Sequence, residues 1–477
     1  MLRICFLLTM AIALNVSAAP TSLKIQDVAE MALKKGLYQK DIELNYQKSE
    51  ISLLLTESNF DTQFGIKGQR EDSKAVAPGA LTNPRDQTQS FGLGLSRKFV
   101  TGSMLGIDYS YVHRESDLSN FMKSAGLSPI QYYHLTTLTF KQDLLNNAFG
   151  FKDRRQSLAA NLQFERAQFE REEASEELVL QAIKLYLDAF FAQENLKQNL
   201  AARDKYLLLY KNIQQKNKMG FDDRSELIKT KAELQNQEKN VKSATLLYQT
   251  LIDKLYTILN SPQPTEVVFE VPEVTTPPIL KNTETKIENL RKSKSIELLV
   301  EATLAEKEAA ANNEGASLNF FTQAAFSGLD KTNSVAVTQM SQQEKPKYTI
   351  GLEYAMRWGG SAQKAESISK LVAHEEALNA RQKVKNSLQE LIETSERNLQ
   401  SKYTIVINAD ETVKIWDEAM KSQERNHRFG RITTAELLMD YGSYFRAKSA
   451  LSGAIADYQL ALYEYQAARD ELIKSKN

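Results

Sequence analysis

The chain has 477 residues, 42% of them hydrophobic, with 60 basic and 60 acidic side chains. That length allows several domains or one large one. A balanced charge argues against a nucleic-acid partner, which would call for a basic surplus.

The first twenty residues, MLRICFLLTMAIALNVSAAP, place Arg3 before an apolar run from Ile4 to Val16, followed by small residues to Ala18. This pattern predicts a secretory signal peptide over 1–18, cut after Ala18. Outside it no window of about 18 apolar residues occurs, so no helical membrane span is expected. The only cysteine, Cys5, lies within that leader. The mature chain therefore has no thiol for a disulfide or a thiolate metal site.

After the leader, an amphipathic helix is predicted over about 23–57. Strand-like alternation follows at 60–69, at Phe91, Leu93 and Leu95, at Leu105, Ile107, Tyr109 and Tyr111, and at 133–143. A very long helix is predicted over 152–217, then a glycine, then a helix over 222–259. Five of the ten prolines fall between Pro262 and Pro278. Proline removes a helix donor and clashes with the preceding turn, so 260–281 reads as an extended linker. The same order then returns: a helix at 283–314, strands at 318–327 and 347–358, a long helix at 361–427 and a closing helix at 432–474. The chain thus reads as two structural repeats, 19–259 and 282–477, with strands at about 60–143 and 318–358.

In the second long helix Leu371, Leu378, Ile392, Leu399, Val406, Val413 and Met420 fall on a seven-residue ladder, broken at Lys385. Such a ladder keeps one seam toward a partner and predicts coiled-coil packing. The opening and closing helices of each half together match its long helix in length. Each half therefore predicts one long helix beside two shorter ones in line.

Residues 347–358, KYTIGLEYAMRW, alternate an apolar series from Tyr348 to Trp358 with a mostly polar one. A soluble sandwich gives the same period of two. Loop lengths favour a membrane barrel: 71–88, 114–130 and 329–346 are long and polar, whereas Val100-Thr101-Gly102 is a tight turn. Long loops on one side and short turns on the other are the outer-membrane pattern. Four strands in the first half and two in the second are too few to close a barrel, and an open edge cannot sit in lipid. Other copies of the chain must complete it, with about 18 strands if the hairpin at 91–111 inserts and about 12 if it does not.

Two short stretches break the long helices. They are KMGFDDRSEL around Gly220 and RFGRITTAEL around Gly430. Superposing the glycines lays Lys218 on Arg428, Met219 on Phe429, Glu226 on Glu436 and Leu227 on Leu437. Glycine accepts the positive φ that a tight turn after a helix needs.

With its leader, its duplicated order of elements and these two turns, the chain resembles the TolC-like outer-membrane efflux protein family over nearly its whole mature length. The resemblance implies a mainly α fold with a membrane β part. Duplicated coiled-coil hairpins form a trimeric α-barrel tunnel, topped by a shared outer-membrane β-barrel. It implies a homotrimer in outer-membrane lipid, joined to a periplasmic adaptor protein and an inner-membrane pump of the RND or ABC type. The adaptor-docking tips would be Lys218, Met219, Gly220 and Phe221 with Arg428, Phe429, Gly430 and Arg431. The periplasmic aperture would carry Glu226 and Glu436, with Asp440 standing in for a family acidic position that falls on Met439.

Nothing in the sequence assembles a catalytic site. HEEAL at His374 has Leu378 where a zinc-protease motif needs its second histidine, and no Gly-x-Ser-x-Gly turn or phosphate loop occurs. No enzyme activity, cofactor or metal is expected. A periplasmic coiled-coil scaffold with a soluble β domain is the other reading that the pattern allows.

Overall fold

A computed structural model describes residues 21–74, 82–219, 224–264, 267–272, 274, 276–278, 286–313, 315–356 and 358–473. The expected signal peptide lies outside them. The chain divides into two compact units.

The first unit takes residues 1–45, 170–291 and 385–477. Its described part opens on β1 (Thr21–Lys24), then α1 (Ile25–Lys35), and α2 (Leu37–Glu57) begins there. The single helix expected over 23–57 is thus corrected at two points. Residues 21–24 pair in parallel with β6 (Val267–Glu270), which lies inside the proline-rich linker. At Gly36 the backbone is extended, with ψ 133, and a Cβ there would lie 2.5 Å from the Ala32 carbonyl oxygen. Only glycine lets the helix stop so close to its own last turn. The unit's core joins Val28, Ala32, Ile183, Tyr186, Leu187, Leu255, Leu259 and Val267. The hydroxyl of Tyr186, with no exposed surface, lies 2.8 Å from the Leu23 carbonyl and 3.0 Å from that of Glu270, one on each strand.

The long helices are α4 (Phe151–Lys218) and α8 (Ser361–Arg428). Their returning partners are α5 (Arg224–Ile258) and α9 (Thr434–Ala467). The opening helix of the second half, α6 (Arg291–Asn312), starts eight residues after the expected 283. Its first amide is capped from far along the chain, because Arg291 N donates to Asp470 Oδ2 at 2.6 Å. The Arg291 guanidinium meets Glu176 at 2.6 Å and Asp470 at 3.3 Å, so one buried cluster ties the end of α9 to α4.

The heptad seam of α8 holds over half its length. Leu399, Val406, Val413 and Met420 are buried as predicted, but Leu371 is exposed, and upstream the buried positions are His374, Ala377, Leu388 and Ser395. The change falls between Ser395 and Leu399, downstream of Lys385, where α8 passes from one compact unit to the other. Before it, α8 faces α6 through Lys370–Glu306 at 2.7 Å and Arg381–Glu297 at 3.2 Å. Beyond it, α8 faces α9 through Lys402–Asp457 at 2.6 Å and the Tyr403–Tyr458 ring pair. A new partner on a new side rotates the seam.

The second unit takes residues 46–169 and 292–384. It holds β2 (Thr62–Lys74), β3 (Arg85–Lys98), β4 (Ser103–Asp117), β5 (Ile130–Leu145), β7 (Ser317–Asp330) and β8 (Pro346–Ala355). They form one antiparallel sheet in the order β2-β3-β4-β5-β7-β8, with the hairpin β3–β4 inserted. Among the described residues, the outer edges of β2 and β8 pair with no strand. The expected loops are shorter than the sequence suggested. Arg85 pairs with Asp72 across β2–β3, and Arg114 with Asp86 across β3–β4, so charged residues extend the ladders beyond the apolar band. Two loops carry short helices, α3 (Asn120–Ser124) and α7 (Asn333–Ser341). Strand β8 stops at Ala355, before the expected Trp358, because Gly359 and Gly360 both take positive φ and turn the chain into α8.

Candidate functional site

The second tip is built by its backbone. Gly430, at φ +69, follows the last turn of α8. Its N–H donates to the His427 carbonyl at 3.0 Å, and Arg431 N–H donates to the Asn426 carbonyl at 2.9 Å. These two bonds satisfy carbonyls that a helix end leaves open, in the Schellman arrangement. The Thr-Thr pair then starts α9. Thr433 is its N-cap, with Glu436 N–H donating to Thr433 Oγ1 at 3.2 Å and Thr433 N–H donating to Glu436 Oε2 at 2.7 Å. Thr434 is buried, 3.0 Å from His427 Nε2.

Around this turn Phe429 is 69% exposed, and the Arg431 guanidinium lies over its ring at 5.7 Å. At the first tip, α4 ends at Lys218 and Met219 is 64% exposed. Gly220 and Phe221 lie outside the described residues. The expected acidic residues occupy distinct settings. Glu436 is exposed and serves the cap. Asp440, one turn on, accepts from Gln423 Nε2 at 2.9 Å. Glu226 sits in the first turn of α5, its carbonyl accepting from Thr230. The Thr433 amide and hydroxyl hold the Glu436 carboxyl below the usual carboxylate range.

Behind the tips the two hairpins share a core. Tyr206, Leu209, Ile213 and Leu234 of the first meet Met420, Leu437, Leu438 and Tyr441 of the second. Polar links run beside it. Lys205 Nζ and Tyr441 Oη both donate to Glu424 Oε1, at 2.8 and 2.9 Å. Tyr444 Oη donates to Asp417 at 2.5 Å, and Lys448 stands 3.5 Å from the same carboxylate. Burial alone would raise the Glu424 carboxyl, but Lys205 and Tyr441 outweigh it and hold it low. The Tyr444 bond does the same for Asp417, over a smaller burial effect. Sequence reading missed these groups, because Lys205 and Glu424 belong to different repeats and no spacing links them.

The passage from sheet to helix is a second built feature. Asn146, Asn147, Phe149 and Gly150 all take positive φ. Asn147 is buried, donates from Nδ2 to both Asp143 and Asp153 at 2.8 Å, and receives Asp153 N–H at 3.1 Å. Lys98, at the end of β3, closes on Asp153 at 2.7 Å. A Cβ on Gly150 would stand 1.8 Å from the Val100 carbonyl oxygen. The loop therefore locks onto the tight turn between β3 and β4.

The sheet itself has two unlike faces. One register row reads Phe64, Leu95, Ile107, Leu138, Ala324, Tyr348 across the six strands. One residue along, the opposite face reads Gly65, Gly94, Asp108, Thr137, Ala325, Lys347. The apolar face carries the polar pair His134 and Thr136, and α7 covers it. His134 lies 2.8 Å from both Tyr109 Oη and Asn333 Oδ1, and Thr136 Oγ1 donates to Met340 Sδ at 3.4 Å. Gly328 leaves room for α7, since a Cβ there would lie 1.9 Å from the Ala336 carbonyl oxygen.

Among the described residues no helix is long and apolar enough to cross a membrane, and no His, Cys, Asp and Glu cluster could hold a metal ion. No protein-family model matches the sequence, and no curated protein matches it. Solved structures do. The chain is similar to the Campylobacter jejuni CmeC outer membrane channel, with a TM-score of 0.73 at 14% identity over 95% of this chain and 87% of that one. Against the open state of the Neisseria gonorrhoeae MtrE outer membrane channel the TM-score is 0.68 at 13% identity, over 95% and 90%. Against the outer membrane protein VceC of Vibrio cholerae it is 0.67 at 12% identity, over 94% and 97%.

The fold is TolC-like. The duplicated long helices and the six-stranded antiparallel sheet match the helical and β parts of that fold. CmeC and MtrE, which share this fold, are outer-membrane channels.

Proposed function

We propose that this chain is the exit duct of a tripartite efflux or type I secretion system, working as a homotrimer in the outer membrane. Its long helices form a tunnel through the periplasm. Its tips meet a periplasmic adaptor, and through it an inner-membrane pump of the RND or ABC type.

One observation carries the reading: a six-stranded sheet with an apolar face and, among the described residues, two unpaired edges. Unpaired N–H and C=O groups are untenable in hydrocarbon, so the edges must be closed. Joining β8 of one copy to β2 of the next, three times round, gives a barrel of 18 strands, three times the six of one sheet. The apolar face then meets lipid, and the Gly, Thr, Asp and Lys face lines the lumen. The exposed Met219 and Phe429, flanked by Lys218, Arg428 and Arg431, suit a docking surface with an apolar centre and a charged rim.

Membrane topology tests it. Single cysteines at Thr101 and Asn120, at opposite ends of the strands, should label from opposite sides of the outer membrane. The protein should need detergent for extraction. Labelling of both from outside, or recovery as a soluble periplasmic protein, would favour the scaffold reading instead.

A further inference from the structure

On the apolar sheet face, toward the helix-proximal ends of the strands, lies a hollow of about 550 Å³. Leu95, Leu105, Ile107, Leu138 and Phe140 form its apolar lining. Its volume is in the range of small-molecule sites. Thr62 and Arg97 are register partners at its helix-proximal rim. The Arg97 guanidinium lies over the Phe99 ring at 5.5 Å, and among the described residues no carboxylate pairs with it. Nearby charges do not share this state: Lys98, the next residue, points to the other face and is held by Asp153.

We infer that this hollow binds one anionic glycerophospholipid of the periplasmic leaflet, with its phosphate on Arg97. The inference rests on the outer-membrane reading, which turns the apolar face to lipid and the helix-proximal strand ends to the periplasm. A guanidinium at that level meets phosphate oxygens with a bidentate fork, and a fixed fork loses less freedom than a lysine would. The ring beneath Arg97 restrains it before the lipid arrives. Thr62 adds a hydroxyl at headgroup depth. Leu95, Ile107 and Leu138 lie deeper along the strands and take the first part of an acyl chain. An isolated snorkelling arginine would need no hollow beside it. Strands β3, β4 and β5 form most of the floor and lie inside the sheet, so a neighbouring copy joined at β2 or β8 leaves it open.

The test uses the full-length mature protein in detergent, stripped of lipid and examined by native mass spectrometry. The probes are 1-palmitoyl-2-oleoyl phosphatidylglycerol and the matching phosphatidylcholine. One phosphatidylglycerol should bind per chain in preference to phosphatidylcholine. Arg97→Gln should weaken it at least about tenfold, the scale of one charge-assisted hydrogen bond. Arg97→Lys should restore part of the loss. Leu138→Trp should weaken binding by filling the hollow with the charge intact. Arg70→Gln, which removes a charge at the far end of the same face, should leave binding unchanged. Equal binding of the two lipids, or an unaffected Arg97→Gln, would overturn the site. So would inorganic phosphate binding as tightly as the lipid. The same spectra report assembly: trimers with no effect at Arg97 refute the lipid site alone, whereas a monomer soluble without detergent refutes the channel reading beneath it.

Discussion

Thr433 and Glu436 cap one helix reciprocally, each backbone N–H donating to the other's side chain, at 2.7 and 3.2 Å. The residue expected to charge the aperture therefore also holds the first turn of α9. Two substitutions separate the roles. Glu436→Gln keeps an acceptor in the cap and removes the charge. Thr433→Ala keeps the charge and loses the cap, at a cost of about 1 kcal/mol. In planar bilayers Glu436→Gln should lose cation preference, while hydrogen exchange at 433–436 stays slow. Thr433→Ala should do the reverse. An unaltered reversal potential in Glu436→Gln would leave the residue as a cap only.

The turn at Gly430 makes a graded forecast. Gly430→Ala should fold with a penalty of roughly 1–2 kcal/mol, from placing a Cβ at φ +69. Gly430→Pro fixes φ near −65° and also deletes the donor to His427. Export should fall to background in the proline variant while trimers still assemble, as read by an export assay beside cross-linking. Full export by Gly430→Pro would remove the tip from the docking surface.

Gly150 tests the joint between sheet and helix. A Cβ added there would overlap the Val100 backbone carbonyl oxygen at 1.8 Å, which no side-chain rotation relieves, so Gly150→Ala should block insertion of the folded protein. Gly126→Ala is the control. It has a similar φ of +76 but open space around the added atom, and should lose only roughly 1–2 kcal/mol. Comparable outer-membrane levels of the two variants would show that the joint can relax.

Acid should loosen the tip network late. Glu424 and Asp417 have carboxyls held below their ordinary range in the folded chain. A depressed folded pKa means the stabilisation is complete above the unfolded value and is lost as pH falls through the folded one. Hydrogen exchange across 411–428 should stay slow as pH drops through the ordinary carboxylate range and rise only below it. Lys205→Met should move that rise to higher pH. Loosening of the wild type already above about pH 4.5, where free glutamate is still mostly ionised, would contradict the linkage.

Local periodicity determined most elements of this protein. Long proline-free stretches with apolar residues three and four apart gave both 68-residue helices to within a residue at each end. Period-two alternation gave six strands, and the apolar face of those at 91–95, 105–111 and 348–358, because successive side chains must point to opposite sides of a pleated chain. A positive φ after a helix called for the glycine at Gly430. Patterns of this kind say which face of an element is apolar, but not what covers it. The tertiary structure decided that. Residues 21–24 became a strand because Val267–Glu270 stands beside them, and α6 starts late because Asp470 supplies its cap. The seam of α8 shifts between Ser395 and Leu399 because its neighbour changes from α6 to α9. Helix α7 folds onto the sheet where Gly328 makes room and His134 needs a partner. Each of these depends on residues tens to hundreds of positions apart, whose meeting is set by the register and packing of the whole chain and leaves no spacing to read.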